Sequence, residues 1–292
     1  MPGAAASAAQ SPSAERATAP RLLSNVRPED ILDKPFAHYT STQMISAEAY
    51  AVLEAEFPRL DTILNGRDVG SNQAVRMTVK QVLTDHRISP LWRAFFEYHT
   101  SGEYWRDVVR LFGERFRRAF PDLEERVGRR YEDWRVVPRG FAGEADIHLD
   151  CQFVMNTPVT EVGSVKTAHV DLCDKIFSAL FYFREAGDET PGGDFELYRW
   201  RRKPRFIRHR AMERDVRKVK ILKYAANSYT CFLNSPQAVH GVSPRGITNI
   251  PRRYINFIAE LPMKAFDPEQ LSGWRKILYA REVRAAAQDE RY

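Results

Sequence analysis

Residues 167–183 read TAHVDLCDKIFSALFYF: a histidine and an aspartate two positions apart, then an almost unbroken apolar run. In an extended chain residues i and i+2 point to the same side, so His169 and Asp171 present an imidazole and a carboxylate together. The run Phe177–Phe183 has the texture of a buried strand. Similar short runs surround it: Ile147–Met155 before, and Asp194–Tyr198, Val219–Tyr224, Tyr229–Leu233, Val239–Val242 and Tyr254–Ala259 after. Turn-forming clusters such as Pro191-Gly192-Gly193 and Asn234-Ser235-Pro236 separate them. Many short strands at this spacing predict a β-sandwich or barrel from about residue 145 onward.

Upstream the periodicity changes from two to three and four. Ser46–Phe57, Pro90–Tyr98 and Tyr104–Phe120 read as helices, the first behind a serine cap. Trp92, Phe95, Phe96, Trp105, Val108, Leu111 and Phe112 would form one buried face, which is ordinary helix packing. Residues 1–20 are Ala, Ser and Pro with few large apolar side chains, the composition of a disordered tail. The remainder, 21–292, reads as a single domain. It comprises mostly helical support over 25–143, a β core over 145–262 and an amphipathic C-terminal helix over 267–287. The fold class expected is α+β with a mainly β core.

With 292 residues, 43% hydrophobic and 28% charged, the chain has material for a large core and a water-exposed surface. Its longest apolar runs fall far short of the ~20 residues a transmembrane helix needs. No apolar stretch follows a basic start, so a secretory signal is not expected. Cys151, Cys173 and Cys231 form no CxxC pair, which excludes a zinc knuckle or a thioredoxin motif and fits a cytoplasmic, reducing setting. The charge is concentrated. Residues 199–223 hold twelve Lys and Arg against Glu213 and Asp215, a net of +10, leaving −4 for the rest of a chain that is +6 overall.

A later strand carries Val239-His240-Gly241-Val242. Two imidazoles and one carboxylate fill one face of an iron(II) octahedron and leave three positions open. His169, Asp171 and His240 are the candidate ligands. His-x-Asp alone is a weak signal, and the order of the motifs after it strengthens it. The apolar strand comes next, then Gly192-Gly193-Asp194-Phe195-Glu196-Leu197, then His240, then Arg252-Arg253-Tyr254-Ile255-Asn256-Phe257. Over residues 146–262 this order resembles the Fe(II)/2-oxoglutarate-dependent dioxygenase superfamily, most like its prolyl 4-hydroxylase branch.

The resemblance implies a double-stranded β-helix (jelly-roll, cupin-like) with N- and C-terminal helices. It implies Fe(II) on His169, Asp171 and His240, with 2-oxoglutarate and O2 as co-substrates and ascorbate in a supporting role. It also implies an arginine near the end of the barrel for the distal carboxylate of 2-oxoglutarate, since a guanidinium grips a carboxylate through two parallel hydrogen bonds. Arg252 is favoured, because Ile255 and Phe257 then stand three and five places on; Arg253 is the alternative. The Ser or Thr that the family often has two places later is here Tyr254 or Ile255. Asn156 is a further co-substrate candidate, or equally a turn residue before Thr157-Pro158, and Gln152 ranks below it. His148 and Asp150 repeat the His-x-Asp spacing and read as polar positions on the entering strand. His209 reads as a surface or substrate group.

Hydroxylation of an unactivated C–H bond is the activity implied, because Asp171 fills the place that related halogenases leave to chloride. Nucleic-acid oxidative demethylation and a non-catalytic β-helix binding protein are the alternatives. The partner expected is a small-molecule, glycan or peptide substrate; nucleic acid is not excluded. The basic segment offers Arg201, Arg202 and Lys203 to an anionic substrate, with Trp200 and Phe206 set among the cations. A solvated charge run or a homodimer contact is the structural alternative.

Overall fold

The computed structural model describes residues 19–164, 166–207 and 209–267. The tail expected over residues 1–20 falls almost wholly outside them, and so does the helix expected over 267–287. In chain order the elements are β1 (His38–Ser41), α1 (Ala47–Ala55), α2 (Leu60–Leu64), β2 (Ala74–Met77), α3 (Val79–Thr84), α4 (Pro90–His99), α5 (Gly102–Ala119), α6 (Leu123–Val127) and β3 (Val136–Pro138). The β-rich half comprises β4 (Ile147–Asn156), β5 (Lys175–Tyr182), β6 (Phe195–Trp200), β7 (Phe206–Ile207), β8 (Arg210–Ala211), β9 (Val216–Leu222), β10 (Tyr229–Leu233), β11 (His240–Val242) and β12 (Arg252–Glu260).

Two sheets result. The larger runs β1-β10-β5-β12-β4-β2, with β3 alongside β4, and the smaller runs β11-β6-β9. His169 extends the smaller sheet: it bridges His240 on one side and Arg210 of the β7-β8 hairpin on the other. From β4 onward the chain therefore crosses repeatedly between the sheets, the path of a double-stranded β-helix. The sheets do not close into a barrel.

Strand period decides what each sheet face sees. On β12, Ile255, Phe257 and Ala259 join the main core, while Arg252, Tyr254 and Asn256 face the space between the sheets. On β5, Phe177, Ala179 and Phe181 take the core side and Ser178 and Leu180 the inner side. On β4, Cys151, Phe153 and Met155 belong to the core. Its alternating Asp150, Gln152 and Asn156 are buried without joining it. Helices α4 and α5 cover the core face. Trp92, Phe95, Phe96, Trp105, Val108, Leu111 and Phe112 are all buried against it. Ser89 and Ser101 cap these helices by accepting the Trp92 and Tyr104 amides, and Pro90 sits at the first turn of α4. The stretch 25–143, expected mostly helical, also supplies β1, β2 and β3 to the larger sheet. These strands are three or four residues long, too short to show a period of their own.

Candidate metal centre and co-substrate pocket

His240 comes from β11, and His169 and Asp171 from the loop before β5, where His169 bridges His240. One ligand atom from each lies within 4.8 Å of the others, and all three residues are buried. The Nε2 atoms of His169 and His240 stand 3.6 and 3.8 Å from Asp171 Oδ1. Backbone carbonyls fix the tautomers. His169 Nδ1 donates to Thr167 O at 2.7 Å and His240 Nδ1 to Ala238 O at 2.9 Å. With the proton on Nδ1, each Nε2 lone pair points inward. Burial, with Lys166 adding to it, pushes the pKa of His169 down to about 3; burial pushes that of His240 down to about 4. Both rings are therefore neutral near pH 7, as metal ligands must be.

Burial alone would raise the Asp171 pKa, but Lys166 and Lys175 outweigh it and hold the carboxyl well below its usual range. Asp171 Oδ2 accepts from Ser178 Oγ at 2.9 Å, and Oδ1 lies 3.1 Å from Lys166 Nζ. Two lone pairs and a carboxylate oxygen face one another, and the buried His169 Nε2 has no hydrogen-bond partner. That donor set fits a divalent cation, and two imidazoles with one carboxylate suit iron(II).

The triad lines a cavity of about 160 Å³ whose wall also holds Arg252. Arg252 is fully buried. Its Nε donates to Gly193 O at 2.9 Å, its Nη1 approaches Asn156 Oδ1 at 3.4 Å, and its Nη2 has no hydrogen-bond partner among the described residues. Tyr182, Tyr224 and Tyr254 surround the guanidinium, with ring centroids 5.0, 5.0 and 4.7 Å from Cζ. Asn156 Nδ2 and the Tyr182 hydroxyl are likewise buried and have no hydrogen-bond partner among the described residues. Unsatisfied buried donors are costly and rare. Three in one neighbourhood suit the two oxygens of a carboxylate, which accepts up to four hydrogen bonds.

Arg253 turns the other way. Its guanidinium pairs with Glu54 at 3.0 Å and Glu185 at 3.4 Å and lies over the Phe57 ring. The strand period separates the two arginines, and the pairing Arg252↔Asn156 brings those two together. Gln152 accepts from Asn256 and donates to Asp150 at 2.6 Å. Asp150 is buried on β4 and accepts from the Val79 amide, at the start of α3. His209, in a left-handed conformation, places Nδ1 3.2 Å from the carbonyl of Asp171.

Arg201, Arg202 and Lys203, offered by the sequence to an anionic substrate, are not part of the cavity lining. They form an exposed turn just beyond β6, where Arg201 Nε donates to Val216 O. The pairing Trp200↔Val216 ends the β6-β9 ladder at that point and carries these residues off the strand. Much of the basic segment is also offset by acids, with Lys223 on Asp194 and Lys218 on Glu196. Sequence reasoning missed Ser178, Tyr182, Lys166, Lys175 and Arg76. The signal for Ser178 was available: it is a lone hydroxyl inside an apolar run.

No protein-family model matches the chain, and no curated protein matches it either. Similar solved structures include a prolyl 4-hydroxylase from Pseudomonas putida, at 13% identity and a TM-score of 0.38, covering 77% of this chain and 93% of that one. A prolyl 4-hydroxylase from Phytophthora capsici is 10% identical with a TM-score of 0.46, covering 84% of this chain and 66% of that one. The non-heme alpha ketoglutarate dependent carbocyclase SnoK of nogalamycin biosynthesis is 10% identical with a TM-score of 0.44, covering 84% and 85%. Among the described residues no helix is long and apolar enough to cross a membrane.

Proposed function

We propose that the chain is an iron(II)- and 2-oxoglutarate-dependent oxygenase that hydroxylates an unactivated C–H bond. The observation that carries this reading is the pairing of two features on one cavity. Two inward-facing neutral imidazoles meet a carboxylate, and a buried guanidinium with an unpaired Nη2 stands in the same wall. Bound iron, with the oxo acid and dioxygen, supplies an oxidant able to take hydrogen from carbon.

The protein's own groups bind, orient and shield. His169 and His240 offer Nε2, held in place by the carbonyls of Thr167 and Ala238. Ser178 occupies one oxygen of Asp171 and leaves the other toward the imidazoles. Arg252 takes the distal carboxylate of the co-substrate, with Asn156 Nδ2 and the Tyr182 hydroxyl as additional donors. The tyrosines around Arg252 keep water from its guanidinium, which strengthens a charge-assisted pair there.

The test is succinate release from 2-oxoglutarate in the presence of ferrous iron and ascorbate, the latter keeping the iron reduced. Separately changing His169, Asp171 and His240 to Ala is expected to remove bound iron, read by elemental analysis, and turnover, while circular dichroism stays native. Arg252→Ala is expected to keep iron but weaken co-substrate binding by ~2–5 kcal/mol, the cost of leaving one partner of a buried charge pair alone. Arg253→Ala should leave the 2-oxoglutarate requirement near that of the unaltered protein. Normal turnover in any triad variant, or a larger co-substrate effect at Arg253 than at Arg252, overturns the assignment.

A further inference from the structure

A second, more open cleft of about 550 Å³ adjoins the metal cavity. The two share Arg76, Lys175 and Asn256 in their walls. The cleft lies along the larger sheet where β2 pairs with β4, and Lys80 of α3 and Arg139 stand over it. Arg139 is offset by Glu260 at 3.2 Å and Asp150 at 3.8 Å. Arg76, Lys80 and Lys175 form no ion pair among the described residues. Lys166, in the wall of the metal cavity, is paired with Asp171 at 3.1 Å and is not among them. The floor is polar, since Asn256 and Gln152 are linked by a hydrogen bond.

Like charges gathered in one concavity raise its potential and draw in anions. Surface cations distributed for solubility would have no reason to meet at a wall shared with the metal cavity. In the oxygenase reading, the distal carboxylate of the co-substrate is answered by Arg252, which the cleft does not contain. Arg76 and Lys80, with Lys175 between them and Asp171, are then left to meet a second anion. We propose that this cleft binds the primary substrate through an oxyanion, carboxylate or phosphate, gripped by Arg76, Lys80 and Lys175. The part of the substrate to be oxidised would extend past Asn256 toward the triad. Which end of the ligand reacts rests on the oxygenase reading; the anion site does not.

The experiment is calorimetric titration of inorganic pyrophosphate, and separately of propane-1,2,3-tricarboxylate, into the full chain at low salt. At least one probe is expected to bind one to one. The triple variant Arg76→Gln, Lys80→Gln, Lys175→Gln should weaken it about tenfold or more, the equivalent of ~1.4 kcal/mol. Arg201→Gln, Arg202→Gln, Lys203→Gln, with the same change in net charge, should bind as the unaltered chain does. So should Arg252→Ala, which separates the cleft from the co-substrate pocket, and His240→Ala, which excludes chelation by the metal. Preference for pyrophosphate points to a phosphorylated substrate and preference for the tricarboxylate to a carboxylic acid. No binding of either probe tighter than about 10 mM overturns the proposal. Equal binding by the cleft variant, or loss in His240→Ala or Arg252→Ala, overturns it too. Anion binding that survives in a protein with no oxo-acid turnover would leave the cleft standing and refute the oxygenase reading.

Discussion

Asp171 keeps one oxygen on Ser178 and turns the other toward two imidazoles. That division of labour makes a small side chain matter. Without the Ser178 hydroxyl, the Oδ2 lone pairs lose a buried donor and the carboxylate is free to rotate. Outer partners of metal ligands typically hold about 10- to 100-fold of the affinity. Ser178→Ala should therefore weaken Co(II) binding, followed by its visible absorption, within that range while the triad remains intact. An affinity within about twofold of the unaltered protein would assign Ser178 to packing alone. His169 and Asp171 were legible in the sequence because they stand at i and i+2; His240 followed from the motif order that carries the resemblance. Ser178 was not singled out, because its significance depends on which face of β5 looks inward.

At the scale of elements, the turn into β6 shapes the wall around Arg252. Gly192 and Gly193 both adopt left-handed backbone conformations, at φ +82° and +72°. A Cβ on Gly192 would overlap the carbonyl oxygen of Pro244, and one on Gly193 would stand 3.2 Å from Arg252 Cδ. The two glycines thus let the backbone close against the Arg245 turn and let Gly193 O receive the Arg252 guanidinium. Arg245 is buried there too, paired with Asp188 at 2.8 Å. Gly192→Ala should lower stability by at least ~3 kcal/mol, combining left-handed strain with a backbone clash. Gly187 provides the comparison, since it is left-handed at φ +81° with nothing within 4 Å of a Cβ. Gly187→Ala should cost only ~1–2 kcal/mol, the conformational part alone. Urea denaturation measures both, and equal losses would mean that the close approach to Pro244 contributes nothing.

Across the whole molecule, several histidines are neutral because they are buried. Burial pushes His99 and His169 down to about 3 and His240 down to about 4. His99 lies away from the metal cavity. It sits in the helix-sheet core, with Nδ1 on the Phe95 carbonyl and Nε2 near the Leu22 amide. An unfolded histidine titrates near a pH of about 6.5. Below that pH the unfolded chain binds protons that the folded chain refuses. Stability is therefore full above about pH 6.5 and falls as the pH drops toward about 4, by ~1.4 kcal/mol per pH unit for each such histidine. His99→Phe in the metal-free protein should reduce that slope by one histidine's share, whatever it does to absolute stability. Denaturation series at about pH 6.5, 5.5 and 4.5 read the slope, and an unchanged slope would mean that His99 is protonated in the folded state.

The sequence alone supplied most strands of the β-rich half and the His-x-Asp pair; through the motif order it pointed to the distal histidine, and it favoured Arg252 over Arg253 without deciding between them. The strands and the His-x-Asp pair rest on a local rule, that side chains alternate along a strand; the distal histidine and the favoured arginine rest on the resemblance in motif order. Only the tertiary structure decided which groups share a wall. The pairing of β12 with β4 sets Arg252 beside Asn156 and sends Arg253 to Glu54. The pairing of β2 with β4 brings Arg76 to a cavity lined by residues about a hundred or more positions away. The densest run of positive charge, by contrast, leaves the cavity at Arg201, because its ladder ends at Trp200. Neighbours across strands are fixed by hydrogen-bond register and sheet order, which depend on the whole fold and leave no spacing to read along the chain.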